Sequence, residues 1–323
     1  MDAELMRRRS QLFRRIRDFF DSLDYLEADT PLLSPDLIPE SCLEVFETRR
    51  ILPAGTEGES LWLIPSPEIW MKKLIARDRR NIYQICRCFR NGESTGFLHN
   101  PEFTMLEYYT MNAGYLDSII LTEELFTALA GVFQEDLPGS LKPPFLRLSM
   151  GEAFDRWAGF DLFSAAECGG LEEEARRLGL DPPQGLNTAA LYDLIFIHAV
   201  EPRLPRAKAL ALTDYPAFAS CLARKSRDGK TVERWELYAR GVELANCYSE
   251  ETEPEEVYAY FEMEEKTKED AALVPHKVDR DYWKLFLPGI EGRSFPRCSG
   301  TALGLDRLIM ILADMNTIDS VWP

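Results

Sequence analysis

Two glutamates in the second half of the chain have the spacing of a metal-binding pair. Residues 234–238 (RWELY) and 242–249 (VELANCYS) predict the two strands of a hairpin. A two-residue turn that begins directly after residue 238 would place Glu236 opposite Glu243. Facing carboxylates repel each other in a sheet, and a Mg²⁺ ion held jointly with substrate phosphates would relieve that repulsion. The alternative is a plain strand pair with two exposed glutamates.

A second hairpin carries basic side chains that suit an anionic ligand. Residues 81–90 (NIYQICRCFR) and 101–109 (PEFTMLEYY) are rich in β-branched and aromatic residues and predict two strands. The ten-residue connection between them is polar and long for a hairpin. Arg90 at one strand end and His99 at the far side of the connection can face the same anion, which favours a phosphate pocket.

The C-terminal segment has glycines that leave room for a ligand. Residues 300–307 (GTALGLDR) predict a Gly-punctuated strand that leads into an apolar helix over residues 308–313. Gly300 and Gly304 permit close approach of the backbone, and Arg307 lies at the start of the helix. Taken alone, the pattern also fits simple packing of a helix on a strand.

Helices are predicted around these strands. Apolar residues recur at helical spacing from Leu12 to Leu23, with arginines largely between them. We interpret the arginines as a solvated helix face in preference to an RNA-binding arm. Residues 117–133 and 254–270 predict further helices, and residues 138–228, which alternate short helical patterns with Pro and Gly breaks, predict an insertion in the core.

Composition predicts a soluble globular protein of the cytosol. The 323 residues are 46% hydrophobic, yet no stretch approaches the roughly 20 apolar residues of a membrane span. The seven cysteines are scattered and lack a paired CxxC spacing, which favours isolated thiols in a reducing compartment. With 37 basic and 54 acidic residues, the net charge of −17 argues against a long RNA footprint.

Five ordered motifs resemble the class II aminoacyl-tRNA synthetases. Residues 30–35 (TPLLSP), 88–109 (CFRNGESTGFLHNPEFTMLEYY) and 300–311 (GTALGLDRLIMI) are similar to motifs 1, 2 and 3 of that family. Residues 243–250 (ELANCYSE) and 66–68 (SPE) are similar to its lysine-specific branch. The resemblance covers nearly the whole chain.

The fold implied by this resemblance is α+β: a class II synthetase catalytic core, with an antiparallel β-sheet flanked by helices. Residues 1–323 would form a single catalytic domain with the insertion at about 138–228. Motif 1 builds the usual dimer interface of the family, so the segment around Pro31 implies a homodimer.

The resemblance also implies how ATP is used. ATP would bind bent over the sheet, and the amino acid carboxylate would attack its α-phosphate. Arg90 and Arg307 would be the catalytic residues, with Arg90 on the α-phosphate and Arg307 sandwiching the adenine ring against Phe103. Glu236 and Glu243 fall on the family's Mg²⁺ ligands. The nucleotide-binding set implied is Arg90, Glu93, His99, Phe103, Glu243, Leu244, Gly304 and Arg307.

For the amino acid, the resemblance implies a lysine-like substrate. Glu68 would meet an amino group near the carboxylate, and Glu250 with Tyr109 would clasp the distal ammonium. An uncharged analogue would then leave the buried Glu250 unpaired, which would give the selectivity. The substrate-binding set implied is Ser66, Pro67, Glu68, Asn100, Tyr109, Asn246, Tyr248, Glu250 and Ala302.

Two positions depart from the family pattern. Motif 2 has RNGE where RNE is usual, so we assign the adenine-contacting role to Glu93. Cys247 stands where the lysine branch usually has Gly, which could alter how closely the pocket wall approaches the substrate.

The acceptor is expected to be a protein. Only about thirty residues precede motif 1, too few for the anticodon-binding domain of a lysyl-tRNA synthetase. Residues 234–250 resemble short paralogues that attach a lysine derivative to a lysine of translation elongation factor P. These paralogues have Ala at the position of Ala302, where lysyl-tRNA synthetases typically have Gly, and one methyl could favour (R)-β-lysine over lysine.

Three other functions are compatible with the sequence. They are a lysine-specific synthetase with a separate tRNA-binding subunit, a free-standing adenylating enzyme with another acceptor, and a catalytically inactive binding module. The intact Arg90, Glu236, Glu243 and Arg307 count against the last of these.

Overall fold

The β-branched and aromatic runs of the sequence form one large, mostly antiparallel sheet. The computed structural model describes residues 2–53, 58–92, 96–289 and 292–322. Its strands are β1 Leu26–Glu27, β2 Leu33–Ser34, β3 Phe46–Arg50, β4 Glu59–Leu63, β5 Ile82–Phe89, β6 Glu102–Met111, β7 Leu146–Ser149, β8 Leu210–Pro216, β9 Thr231–Ala239, β10 Val242–Ser249 and β11 Cys298–Gly304. The α+β class and the antiparallel sheet are therefore confirmed.

The order of strands places both predicted hairpins near the centre of the sheet. Eight strands run in the order β1-β5-β6-β11-β10-β9-β8-β7, and β2, β4 and β3 form a separate small sheet. Only the outer pairs β1–β5 and β7–β8 are parallel in the large sheet. Strand β11 lies between the two hairpins, so the three segments with candidate functional residues are direct neighbours.

The predicted register of the β9–β10 hairpin was wrong. Glu236 lies opposite Asn246 and Glu243 lies opposite Tyr238, because the turn lies one residue later than predicted and the pairing shifts by one further residue between Glu243 and Ala245. The turn is formed by Arg240 and Gly241, which have positive φ angles of 55° and 79°. A two-residue turn of this kind needs left-handed backbone at both positions. Glycine adopts this conformation easily, so the turn lies one residue later than predicted, where Gly241 can occupy its second position.

Helices cover both faces of the large sheet. They are α1 Ala3–Ser22, α2 Glu68–Asp78, α3 Tyr115–Ala128, α4 Met150–Trp157, α5 Leu162–Glu167, α6 Leu171–Arg177, α7 Thr188–Ile195, α8 Pro254–Ala271 and α9 Leu305–Leu312. Helix α1 begins where the Asp2 side chain accepts a hydrogen bond from the Leu5 amide at 2.8 Å. Its apolar stripe, with Leu12, Ile16 and Phe20 fully buried, packs in the main core.

The arginines of α1 do not all face solvent. Arg7 is exposed and Arg8 is half-buried, and both pair with Glu4 on the same helix. Arg9 is 9% exposed and donates a 2.6 Å hydrogen bond to Asp306. The prediction of a solvated arginine face is wrong for Arg9, because this side chain meets a buried carboxylate from the opposite end of the chain.

The segment 138–228 extends the large sheet. It contributes β7 and β8 to one edge and carries α4 to α7. These helices bury their own apolar cluster, which includes Phe154, Tyr192 and Ile195. The assignment of this segment as an insertion in a single catalytic domain stays a prediction.

The structure also bears on the predictions made for the cysteines and for membrane-spanning helices. The seven cysteines are free thiols, as predicted. Within the described ranges, the helices are all too short or too polar to span a bilayer.

Candidate active site

One face of the large sheet opens into a cavity of about 410 Å³. Most of the predicted nucleotide-binding residues and part of the amino acid set line it. They are Arg90, His99, Asn100, Phe103, Glu236, Glu243, Leu244, Asn246, Tyr248, Ala302, Gly304 and Arg307. Glu93 lies outside the described residues.

Strand pairing brings side chains from distant segments into one row beside this cavity. Glu236 pairs with Asn246, Asn246 pairs with Ala302, and Ala302 pairs with Glu107. Directly paired residues point to the same face of a sheet. The row therefore runs from the predicted metal ligand Glu236, past Ala302, to a carboxylate in β6 that the sequence analysis did not single out.

Backbone carbonyls anchor the Arg307 guanidinium at the cavity wall. Its Nη1 donates to the Glu243 carbonyl at 2.9 Å and its Nε donates to the Leu98 carbonyl at 3.2 Å. Arg90, also in the cavity wall, packs on Phe103, with its guanidinium carbon 5.2 Å from the centre of the ring. In this structure Phe103 contacts Arg90, and the adenine sandwich between Phe103 and Arg307 stays a prediction.

A buried ion pair supports the helix start that carries Arg307. Asp306 is 1% exposed and accepts a 2.6 Å hydrogen bond from Arg9 and another 2.6 Å bond from the Thr104 amide. These bonds connect α1, β6 and α9. The N-terminal helix thereby helps to position the start of α9, which carries Arg307.

The two glutamates predicted to bind metal both face the cavity. Glu236 accepts hydrogen bonds from Arg234 and, at 2.7 Å, from the Tyr238 hydroxyl. Removal from bulk water, followed by the charge of Glu236, raises the pKa of Glu243 to about 7. The charge of Glu236 thus disfavours the ionised form of Glu243 even though the two residues are not directly paired.

This donor set fits a shared cation better than a closed metal site. The described ranges contain no group of three or more His, Cys, Asp and Glu that could hold a metal ion. Two carboxylates beside arginines suit a Mg²⁺ ion that takes its remaining ligands from phosphate oxygens and water.

A closed hydrogen-bonded network lies at the Glu107 end of the row. Glu107 is 3% exposed and accepts 2.7 Å hydrogen bonds from both Ser66 and Tyr109. Ser66 also accepts a hydrogen bond from the Glu68 amide at 3.0 Å, where Pro67 leads into α2. Burial, followed by the charge of Glu68, raises the pKa of Glu107 to about 8.

Lys72 is the second residue of this network that sequence reasoning missed. Its Nζ lies 2.5 Å from Glu68 Oε1 and 2.6 Å from Glu250 Oε2, and its side chain is 1% exposed. The expectation that Glu250 is unpaired without a cationic ligand is therefore wrong. Lys72 follows Glu68 by one helical turn, and this i,i+4 spacing was the available sequence signal.

Gly300 brings the backbone of β11 against this network. A Cβ atom at Gly300 would overlap Glu250 Oε1 and lie 2.5 Å from Tyr109 Cε1. Gly300 thus permits a close backbone approach to protein side chains, whereas room for a ligand at this glycine stays a prediction. At Gly304 the nearest protein atom to such a Cβ would be the Leu244 carbonyl oxygen at 3.7 Å, an ordinary contact.

Arg234 joins the remaining predicted residues. Its Nε donates to Asn246 Oδ1 at 3.1 Å, and Asn246 donates to the Tyr248 hydroxyl at 3.0 Å. Its guanidinium carbon lies 4.4 Å from the centre of the Tyr215 ring. Asn246 and Tyr248 are thus held by a cation–π and hydrogen-bonded support that no single motif revealed.

The arrangement separates charge along one face of the sheet. Arginines and two glutamates surround the cavity, whereas Glu68, Glu107, Glu250 and the single cation Lys72 form the closed network. If all four are ionised, the network has two negative charges in excess. Such a distribution of charge suits a polyanion beside a small cationic molecule.

Sequence comparison agrees with this geometry. The profile of the class II tRNA synthetases (D, K and N) matches residues 2–323, so the chain belongs to this family. Its relatives include the elongation factor P–(R)-beta-lysine ligases of Avibacterium paragallinarum and Mannheimia succiniciproducens, each 34% identical over 97% of this chain and 92% of the relative. The enzyme of the same name from Haemophilus ducreyi is 34% identical over 97% of this chain and 91% of the relative.

Proposed function

We propose that this protein is an ATP-dependent ligase for translation elongation factor P. It activates (R)-β-lysine, or lysine less efficiently, as the aminoacyl adenylate and transfers the aminoacyl group to a lysine side chain of the factor. The observation that carries this proposal is that one buried network joins three carboxylates, those of Glu68, Glu107 and Glu250, to a single ammonium group, that of Lys72. A diamino acid supplies two ammonium groups and leaves no buried carboxylate uncompensated.

The chemistry consists of two displacements. A carboxylate oxygen of the amino acid attacks the α-phosphorus of ATP, and pyrophosphate leaves. The uncharged Nζ of the acceptor lysine then attacks the acyl carbon, AMP leaves with the bonding electrons, and the nitrogen loses a proton to give an amide. Both steps depend on positioning and on neutralisation of charge.

Residues lining the cavity perform this positioning in the proposal. Arg90 orients the α-phosphate and the attacking carboxylate, and Arg307 and His99 bind the remaining parts of the nucleotide. Glu236 and Glu243 would hold Mg²⁺, which neutralises triphosphate charge when bound. Asn100, Leu244 and Gly304 complete the nucleotide side of the cavity wall.

The closed network orients the amino acid. Glu68 receives the amino group nearer the carboxylate, and Glu250 with Tyr109 receives the distal ammonium. Ala302 lies between Asn246 and Glu107 in the strand row, which supports contact of its methyl group with the substrate chain near the amino group. This placement favours the β-amino acid by a modest factor.

The acceptor and the assembly are part of the same proposal. The net charge of −17 supports a protein acceptor in preference to tRNA. An acceptor that takes part in translation implies the cytoplasm as the site of action. We also propose a homodimer that forms through the motif 1 segment around Pro31.

The test is transfer of labelled lysine and (R)-β-lysine, with ATP and Mg²⁺, to purified elongation factor P and in parallel to total tRNA. We expect label on the protein alone, with higher kcat/KM for β-lysine, and none on a factor whose acceptor lysine is replaced by Arg. Label on tRNA alone would contradict the acceptor. Equal kcat/KM for the two amino acids would contradict the role of Ala302.

A further inference from the structure

A buried lysine occupies the centre of the amino acid network. Lys72 contacts Glu68 and Glu250, which are assigned to opposite ends of the substrate, and all of its side chain except 1% is removed from solvent. Burial alone lowers the pKa of Lys72, but the charges of Glu250 and Glu68 outweigh it, so its pKa lies well above the usual value. The lysine is therefore a permanent cation.

We propose that Lys72 is the positioning residue that sets the charge of the amino acid pocket. Its ammonium group compensates one of three carboxylates and joins Glu68 to Glu250, so that the pocket fits a substrate with two cationic groups. This inference rests on the proposed function and extends it to the origin of substrate selectivity.

The charge count gives the physical reason. Without Lys72, the carboxylates of Glu68, Glu107 and Glu250 would be matched by only the two ammonium groups of a diamino acid. A buried charge without a partner is strongly unfavourable. One carboxylate would have to keep a proton or move away, and the substrate would lose an oriented contact.

The surroundings distinguish Lys72 from an ordinary helix-stabilising lysine. Lys73, the next residue of α2, is 30% exposed and pairs with Asp279 at 2.7 Å, outside the network. The hydroxyl of Tyr282, which is 1% exposed and interacts electrostatically with Lys72, has no hydrogen-bond partner among the described residues. An unsatisfied buried hydroxyl beside the network is consistent with a pocket that is completed by a polar ligand.

The first experiment compares Lys72→Met with Lys73→Met in pyrophosphate exchange with β-lysine and lysine. For Lys72→Met we expect the KM for the amino acid to rise about tenfold or more, while kcat and the KM for ATP stay within about threefold. Lys73→Met removes the same group from the same helix and should leave all three constants within about threefold of wild type. If Lys72→Met and Lys73→Met both melt at the wild-type temperature and have the same KM for the amino acid, the proposal is overturned.

A double variant tests the charge count separately from packing. Glu250→Gln leaves the network with one excess negative charge and Lys72→Met leaves it with three, whereas Lys72→Met/Glu250→Gln restores two. The KM of the double variant should therefore lie well below the product of the two single effects. If the KM of the double variant equals the product of the two single effects, and kcat and the KM values for both substrates change together, Lys72 has a structural role and the proposal is overturned.

The same assays separate this inference from the proposed function. Wild-type protein that exchanges pyrophosphate with neither diamino acid contradicts the proposed function itself. If the wild-type protein exchanges pyrophosphate and Lys72→Met has the same kinetic constants as wild type, only the inference is contradicted. If Lys72→Met does not fold, the double variant decides, because replacing both members of a buried pair avoids an unpaired charge.

Discussion

The two ends of the site lie on one sheet face but handle charge differently. At the proposed nucleotide end, a cavity of about 410 Å³ is lined by arginines, and Arg307 is anchored by backbone carbonyls. At the amino acid end, Lys72, Glu107 and Glu250 are 1–3% exposed and bond to neighbouring side chains. In our proposal, the first end depends on charge that the nucleotide and its metal would bring, whereas the second end already contains most of its own charge.

The largest expected effect comes from removing a charge at the nucleotide end. Glu243→Gln keeps the shape of the side chain and the backbone carbonyl that accepts from Arg307, but removes half of the proposed Mg²⁺ pair. We expect kcat/KM for pyrophosphate exchange to fall at least about a hundredfold, and the Mg²⁺ concentration required for half-maximal rate to rise.

A matched control for this substitution lies in the small sheet. Glu59 of β4 pairs with Arg50 at 2.8 Å and is half exposed. Glu59→Gln should leave the Mg²⁺ titration unchanged within about twofold, because exposed pairs contribute little. An identical Mg²⁺ titration for Glu243→Gln and wild type would remove Glu243 from the metal site.

The next effect in size distinguishes the two ends through two glycines of β11. Gly300→Ala would force Glu250 and Tyr109 to move, because a Cβ there overlaps the Glu250 carboxylate. We expect the KM for the amino acid to rise about ten- to a hundredfold, together with a loss of about 1–3 kcal/mol in the free energy of unfolding.

Gly304→Ala should instead act on the nucleotide. A Cβ at Gly304 meets protein atoms only at ordinary distances and faces the cavity. The KM for ATP should therefore rise by a few-fold with little change in stability. If the two variants change the same Michaelis constant by the same factor, the division into two ends is wrong.

Elements of the fold were predictable where one local pattern decides them. The two hairpins follow from runs of β-branched and aromatic residues, and α1 follows from its apolar stripe. The register of β9–β10 was wrong for two reasons. The turn lies at Arg240 and Gly241, one residue later than predicted, and a bulge after Glu243, which no residue there signals, shifts the pairing by one more residue.

Site residues were predictable where they lie in a motif and were missed where the fold joins separate segments. Glu107 lies within a predicted strand, but only the packing of Ser66 beside it reveals its place in the network. Arg9 was interpreted as part of a solvated face because its partner Asp306 lies nearly the whole chain away. Local periodicity contains no information on such contacts.

The two ends are also expected to differ in pH dependence. In the ligand-free protein, the pKa of Glu107 is raised to about 8 and that of Glu250 to about 7, whereas Glu243 at the nucleotide end has a pKa of about 7. Ammonium groups bind ionised carboxylates, so protons must leave when the substrate enters. The KM for the amino acid should therefore rise as the pH falls below about 8, by up to about tenfold per pH unit for each proton released.

The sign of this effect follows from which form the free protein favours. Burial stabilises the neutral carboxyl of Glu107, and Lys72 together with the Tyr109 and Ser66 hydroxyls opposes it only in part. The KM for ATP should respond at lower pH, near 7, because Glu243 is the group that must ionise.

Glu107→Gln provides the control, since it removes the group with the highest pKa of the three. It should eliminate the rise in amino acid KM between about pH 8 and pH 7 while leaving the ATP profile unchanged. A KM for the amino acid that stays constant from about pH 8.5 to pH 6 in the wild-type protein would contradict the prediction. It would mean that Lys72 and the hydroxyl donors keep Glu107 and Glu250 ionised before the substrate arrives.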